Sequence, residues 1–415
     1  MTSYINETNF FEGNNPELLA QKYGTPLYVY NERVLREHMR SVQGLVTKYP
    51  YTANFSVKAN TNLTILKIAL EEGMNCDAMS VGELRLLEMA GFPAERIFFV
   101  PNNVSDEELS YAIGKGIMTS LDSISQLRRF GRLNRGGRCA IRINPGVGAG
   151  HHEKVVTAGK NTKFGIEEHD IDEAIKAAGE YDLHIVGINQ HVGSLFMDPE
   201  PYLKASQNFL RIAMKFKDLE FIDLGGGFGT PYHKLSGEQN FDMQALREAL
   251  EPILDTFVKE YGSTPLFKSE PGRYITADGG VILGRVYALK NNGVKYYAGC
   301  DVGMNVLARP TLYDSHHDVE VIRNGQVVSP KDGTQVVNVV GNICESGDII
   351  ARDRELPILH EEDLVCVLDA GAYGYMMSYT YNMRGRAAEI LCREDGSVLQ
   401  IRRRETFEDL IRYFE

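Results

Sequence analysis

Residues 51–91 read YTANFSVKANTNLTILKIALEEGMNCDAMSVGELRLLEMAG. Two periodicities alternate along this stretch. The runs YTANFSV and NCDAM are short and rich in apolar and β-prone residues, which reads as buried strand. The runs TNLTILKIALEEG and SVGELRLLEMAG are longer and amphipathic. They open on Thr61 and Ser80 and close on Gly73 and Gly91, the residue types that cap helices. A strand, a helix and another strand in that order imply parallel pairing, because a tight turn cannot join parallel neighbours.

The same rhythm continues to about residue 275. Further strand candidates are RIFFV (96–100), IMTSL (117–121), RCAIRIN (138–144), LHIVGINQ (183–190), LEFIDL (219–224) and PLFKSE (265–270), with amphipathic runs between them. Eight strands in this pattern predict an α/β fold, a (β/α)8 TIM barrel, with a doubly wound open sheet as the alternative. After residue 276 the texture changes to strand-like segments punctuated by Asn292-Gly293, Asn324-Gly325 and Asp395-Gly396, which are hairpin signals. This predicts an antiparallel β-domain. The early PLYVYNERVL (26–35) supplies a strand that fits it. The expected division is an N-terminal segment 1–30 contributing to the β-domain, a barrel over 31–275, and a C-terminal β-domain over 276–415.

The 415-residue chain is 43% hydrophobic and carries a formal charge of −12 with no basic block. That excludes a nucleic-acid or anionic-membrane surface as its business. No stretch approaches the roughly 18 apolar residues of a membrane helix, and MTSYINETNFFEGNNP lacks the basic-then-apolar design of a signal peptide. A cytoplasmic location is expected. The six cysteines are scattered without a CxxC, so neither a metal site nor a disulfide scaffold is indicated. Cys344, in ICESGD (343–348), is the one in a polar setting.

Reactive and glycine-rich groups fall where barrel strands end, and the C-terminal face of a barrel is where active sites are built. Lys58 follows YTANFSV. Such a lysine is often merely solvated, but desolvation in a barrel mouth would make it a Schiff-base nucleophile. DLGGGFG (223–229) brings Gly225, Gly226 and Gly227 after another strand, where backbone N–H groups can approach an anion. SEPGRYI (269–275) puts Glu270 and Arg273 on the Pro271-Gly272 turn. His191 and Ser194 follow a strand in NQHVGS, and Arg142 sits near the end of RCAIRIN. One lysine, an anion loop, a carboxylate, an arginine and a histidine together fit pyridoxal 5′-phosphate. Lys58 would bind it covalently, the glycines and Ser194 would hold its phosphate, Glu270 would keep the pyridine nitrogen protonated, and His191 would stack on the ring.

The motifs FSVKAN, NCDAMSVGEL, RINPG, TKFG, QHVGS, DLGGGFG, EPGRYI, RPTLYD, GNICESGD and DAGAYGYMMSYTYNMR occur in the order found in the fold-type III pyridoxal-phosphate decarboxylases. The chain resembles that family over about residues 25 to 390, most closely the branch acting on meso-diaminopimelate. TKFG stands where the family usually has SKFG, and residues 146–165, GVGAGHHEKVVTAGKNTKFG, fit one branch. The resemblance implies decarboxylation of an amino acid, with meso-diaminopimelate giving L-lysine as the leading substrate. Ornithine, arginine, carboxynorspermidine or a carrier-bound amino acid are the alternatives. It further implies that Arg273, Arg309, Tyr313 and Tyr373 bind substrate, with Tyr373 and Arg273 also touching cofactor. Asp77 and Arg142 would lie beside the cofactor. It also implies a homodimer with shared sites, in which Cys344 of one subunit acts as proton donor and Glu345 reads the substrate's distal amino group in the other.

Overall fold

The computed structural model describes residues 3–146, 149–150 and 162–415. Residues 147–148 and 151–161 of the GVGAGHHEKVVTAGKNTKFG segment lie outside the described residues. The chain divides into two compact units. One comprises Met1–Leu35, Thr230–Gln239 and Thr276–Glu415; the other comprises Arg36–Gly229 and Asn240–Ile275. Strand β1 (Leu27–Asn31) belongs to the first.

The second unit is a closed barrel. Its strands are β2 (Tyr51–Ser56), β3 (Asn75–Ala78), β4 (Ile97–Phe99), β5 (Met118–Leu121), β6 (Arg138–Asn144), β7 (His184–Asn189), β8 (Phe221–Asp223) and β9 (Leu266–Ser269). All eight correspond to strand candidates read from the sequence. Each pairs in parallel with its neighbour, with Phe55 opposite Cys76 and Ile188 opposite Ile222, and β9 closes the ring on β2 through Phe267 and Tyr51. The open-sheet alternative fails on that last pairing.

The intervening helices form for local reasons. Leu63–Glu71 starts where the Asn62 side chain accepts from the Thr64 N–H at 3.0 Å, one residue past the expected Thr61. Ile65, Leu66, Ile68 and Ala69 form its buried face. Val81–Ala90 is capped by Ser80 and stops at Gly91, whose φ is +99°. Phe98, Val100, Ala140, Val186 and Phe221 form one buried apolar cluster among the barrel strands, with Phe98 edge-on to Phe221 at 5.4 Å.

The first unit is a β-sheet domain. Its long strand β10 (Gly280–Asn291) runs antiparallel to β1, to β11 (Tyr296–Cys300) and to a later strand, Leu364–Val367. Apart from the two-residue Gln326–Val327, which pairs with Val319–Arg323, the remaining strands in chain order are β12 (Val319–Arg323), β13 (Thr334–Val340), β14 (Ile349–Pro357), β15 (Leu364–Val367), β16 (Ala388–Cys392) and β17 (Val398–Arg402). Most pairings are antiparallel, but β1 runs parallel to β16 and β11 runs parallel to β13, so the domain is mixed rather than purely antiparallel. At the Asn324-Gly325 turn both residues have positive φ, 51° and 77°, as a tight hairpin requires.

Thr230–Gln239 joins this unit although it lies between two barrel strands in sequence. Lys234 reaches the fully buried Asp369 at 2.6 Å, and the Leu235 N–H donates to Asp318 at 2.8 Å. A buried ammonium without that partner would be costly, so the pair fixes the segment.

Candidate active site

The barrel strands deliver their polar residues to one end. Lys58 lies in the single 3-10 turn Val57–Ala59 that follows β2. Asp77, next to the end of β3, is a fully buried carboxylate, and the buried Ser56 hydroxyl donates to it at 3.0 Å. Its other oxygen, Oδ1, has no hydrogen-bond partner among the described residues. Arg142, near the end of β6, is buried, stands 3.9 Å from Asp122 and stacks 4.5 Å from the centre of the Phe164 ring. His191 follows β7, with Nδ1 3.9 Å from Glu270 Oε2.

The glycine run is an obligatory one. A Cβ on Gly225 would sit 2.3 Å from the Gln190 carbonyl oxygen, and one on Gly226 only 1.9 Å from the Glu270 carbonyl oxygen. The loop therefore lies flat against the His191 and Glu270 turns and offers backbone alone. The Glu270 N–H donates to the Gly225 carbonyl at 3.0 Å, and the Ser56 N–H donates to the Pro271 carbonyl at 2.9 Å. Gly272 packs on Ser56 and Ala59, so the Glu270 turn and the Lys58 turn are one rigid piece. Arg273 donates through Nε and Nη2 to the Ser194 hydroxyl at 3.1 and 3.0 Å. Lys58, Asp77, Arg142, His191, Ser194, Gly225–Gly227 and Glu270–Arg273 thus lie together at one end of the barrel.

Sequence reading missed Asp223. This fully buried carboxylate accepts from the Gly225 N–H at 2.9 Å and from Asn54 at 3.2 Å. It was visible only as the start of the glycine motif. The available signal was a charge ending an otherwise apolar parallel strand.

Electrostatics in this mouth are governed by dehydration. Burial pushes Asp77, Asp223 and Glu270 up, and the Asp223 carboxylate pushes Glu270 further. The Lys58 ammonium opposes this at Asp77 and Glu270. His191 is pushed down by burial, with the Lys58 and Arg142 charges adding. Such opposed shifts in one cleft mark functional sites more often than structural ones.

The sheet unit carries the other predicted residues. Arg309 is 1% exposed. It donates through Nη1 to His317 Nε2 at 2.8 Å, while the His317 Nδ1–H donates to the Leu368 carbonyl at 2.7 Å. Its guanidinium carbon stands 4.5 Å from the centre of the Tyr232 ring. Tyr313 ends the short helix Arg309–Tyr313 and is half-buried. Tyr373 is half-buried too, with φ at +57°. In ICESGD the two carboxylates do different things. Asp348 is buried and accepts from the Ile343 and Met304 N–H groups at 2.7 and 2.5 Å, so it builds the turn. Glu345 and Cys344 are exposed. The Tyr381 hydroxyl donates to Glu345 at 2.6 Å, and the Asn382 amide donates to Cys344 Sγ at 3.2 Å. The other five cysteines are buried.

Comparison with known proteins fits this geometry. Residues 32–277 match the family described as pyridoxal-dependent decarboxylase, pyridoxal binding domain. The chain is 41% identical to the diaminopimelate decarboxylase of Methanothermobacter thermautotrophicus, over 95% of this chain and 92% of that one. The chain belongs to the pyridoxal-dependent decarboxylases. Among solved structures, diaminopimelate decarboxylase from Helicobacter pylori complexed with L-lysine superposes with a TM-score of 0.88 at 31% identity, covering 96% of this chain and 98% of that one. The Methanocaldococcus jannaschii enzyme in complex with L-lysine gives 0.88 at 31%, covering 97% and 95%.

As a decarboxylase of this family the protein uses pyridoxal 5′-phosphate. The residues present fit that group. The glycine loop leaves bare backbone where a Cβ has no room, and the buried Glu270 Oε1 and Asp77 Oδ1 have no protein partner among the described residues. No helix among the described residues is long and apolar enough to cross a membrane.

The shifted carboxyls have a consequence for stability. In the unfolded chain they ionise near pH 4; folded and without cofactor, they hold their protons to higher pH. The folded state then binds more protons than the unfolded state above about pH 4, so these groups make stability fall as pH rises through the raised values. Melting of cofactor-free protein between about pH 6 and pH 8 is expected to decline less steeply for Glu270→Gln than for the parent. Parallel declines would contradict the placement of this proton.

Proposed function

We propose that the protein decarboxylates meso-2,6-diaminopimelate to L-lysine and CO2, working as a homodimer with shared sites in the cytoplasm. The observation that carries this reading is the near full-length similarity to proteins named diaminopimelate decarboxylase, joined to a barrel mouth shaped for pyridoxal phosphate. When bound, the cofactor supplies an electron sink for the pair released as the carboxylate leaves.

Everything else is the work of side chains. Lys58 would hold the cofactor covalently through its amine. Gly225–Gly227, Ser194 and Arg273 hold the phosphate, since Arg273 already clasps the Ser194 hydroxyl. Glu270 would keep the ring nitrogen protonated, His191 would stack on the ring, and Asp77 and Arg142 would lie beside the cofactor. Arg309, Tyr313 and Tyr373 bind the substrate, and a planar guanidinium suits its second carboxylate. Cys344 and Glu345 stand exposed on the sheet unit, held by hydrogen bonds to Asn382 and from Tyr381 of the Tyr381–Met383 turn. They are assigned to a second copy's barrel, where Cys344 returns a proton to the reacting carbon and Glu345 pairs with the distal ammonium.

Glu345 therefore sets the choice of substrate. Glu345→Gln is expected to lower kcat/KM for meso-diaminopimelate by about ten- to a hundred-fold, since removing a charged hydrogen-bond partner costs roughly 1.5–3 kcal/mol. Cofactor affinity is expected to stay unchanged. A variant that loses cofactor instead would make the turn structural.

A further inference from the structure

Within the sheet unit, β12, β14 and the Thr230–Gln239 segment enclose a cavity of about 550 Å³. That size lies in the range of small-molecule sites, roughly 300–1,000 Å³. Its lining combines an apolar part, including Val321, Val328 and Leu356, with a charged part that holds Arg352, Arg354, His316 and Asp318. The lining carboxylates Glu320, Asp353 and Glu355 are engaged by Ser3, Lys295 and Thr334.

The polar wall contains a conflict. His316 Nε2 lies 2.8 Å from Asp318 Oδ1, a distance that calls for an N–H donor. The same nitrogen is in hydrogen-bond contact with Arg354 Nη1, and a guanidinium can only donate. One nitrogen cannot fill both roles. With Arg354 donating, Nε2 must present its lone pair, and Asp318 Oδ1 receives no proton from it. Asp318 Oδ2 is already used by the Leu235 N–H. Among the described residues no carboxylate comes within ion-pair distance of Arg354, although this guanidinium is half-buried. Burial pushes His316 down, which keeps the ring neutral at neutral pH, and the His233 ring packs against it at 3.7 Å.

We propose that this cavity binds a small organic anion, a carboxylate on an apolar body, with its head group on Arg354. The guanidinium fork matches a carboxylate through two parallel N–H donors. The apolar wall takes the hydrocarbon. Once Arg354 turns to the anion, His316 Nε2 is released. The ring proton moves from Nδ1 to Nε2 through solvent, with no net uptake, and Nε2–H donates to Asp318. An anion on Arg354 removes the conflict.

Octanoate and inorganic phosphate, titrated separately into the cofactor-loaded protein, test this by calorimetry and by ring-nitrogen NMR of His316. Octanoate is expected to saturate one site per chain and to shift His316 Nε2 from the lone-pair to the protonated signature. Arg354→Gln should weaken octanoate at least about ten-fold. Val328→Phe, which fills the apolar wall and leaves the guanidinium alone, should do the same. Phosphate should bind more weakly, having no apolar body. The proposal is overturned if octanoate does not saturate in the millimolar range, if neither variant weakens it, if the His316 signature stays put, or if phosphate binds as tightly.

Discussion

Lys58→Ala is expected to lower CO2 release by roughly three orders of magnitude or more and to remove the visible absorbance of the covalently held cofactor. The fold should survive. Lys58 sits in the short turn Val57–Ala59, and the buried residues of that turn are Val57 and Ala59. The turn is fixed by backbone bonds and by Gly272 packing on Ser56 and Ala59, none of which needs the lysine side chain. Removing the ammonium also removes the charge that favours ionisation of Asp77 and Glu270. Both carboxyls should then hold their protons to still higher pH. Cofactor should remain bound through the glycine loop, Ser194 and Arg273, but non-covalently. Retention of the covalent absorbance in the variant would remove Lys58 from its role.

Cys344→Ala is expected to cost about a hundred-fold or more in kcat, the usual worth of a positioned proton donor. Cys344 is exposed, and the Asn382 amide bond to its Sγ is a surface contact, so stability should be little affected. The more telling experiment mixes the two inactive variants. In a dimer of Lys58→Ala with Cys344→Ala, one site pairs the two defects and the other pairs an intact lysine with an intact cysteine. Random mixing should restore about a quarter of the parent activity, since half of the dimers are mixed and each holds one intact site. No recovery, under conditions where subunits are seen to exchange, would mean that Cys344 serves its own barrel or none.

Much of the barrel was legible because parallel strands are buried on both faces. Runs such as RIFFV and RCAIRIN declare themselves by composition, and the helices between them by their caps. Of the candidate site, Lys58, the glycine run and Glu270 were legible because they fall where strands end, whereas Asp77 was expected only through the family resemblance. What stayed hidden depended on distance along the chain. The parallel partner of β1 is β16, more than three hundred residues later, and no local pattern encodes that register. The Thr230–Gln239 segment looks like a barrel loop until Lys234 is seen against Asp369. In ICESGD nothing in the sequence distinguishes the carboxylate that builds the turn, Asp348, from the one left exposed, Glu345. Only the N–H groups of Ile343 and Met304 separate them. The ring-nitrogen conflict at His316 is likewise invisible without coordinates.

The central claim concerns the substrate, and CO2 release measures it directly. Purified protein supplied with pyridoxal phosphate should release CO2 from meso-diaminopimelate, leave L-lysine as product, and release little or none from L-lysine, L-ornithine or L-arginine. Release from one of those acids or from a carrier-bound amino acid, with none from meso-diaminopimelate, would contradict it.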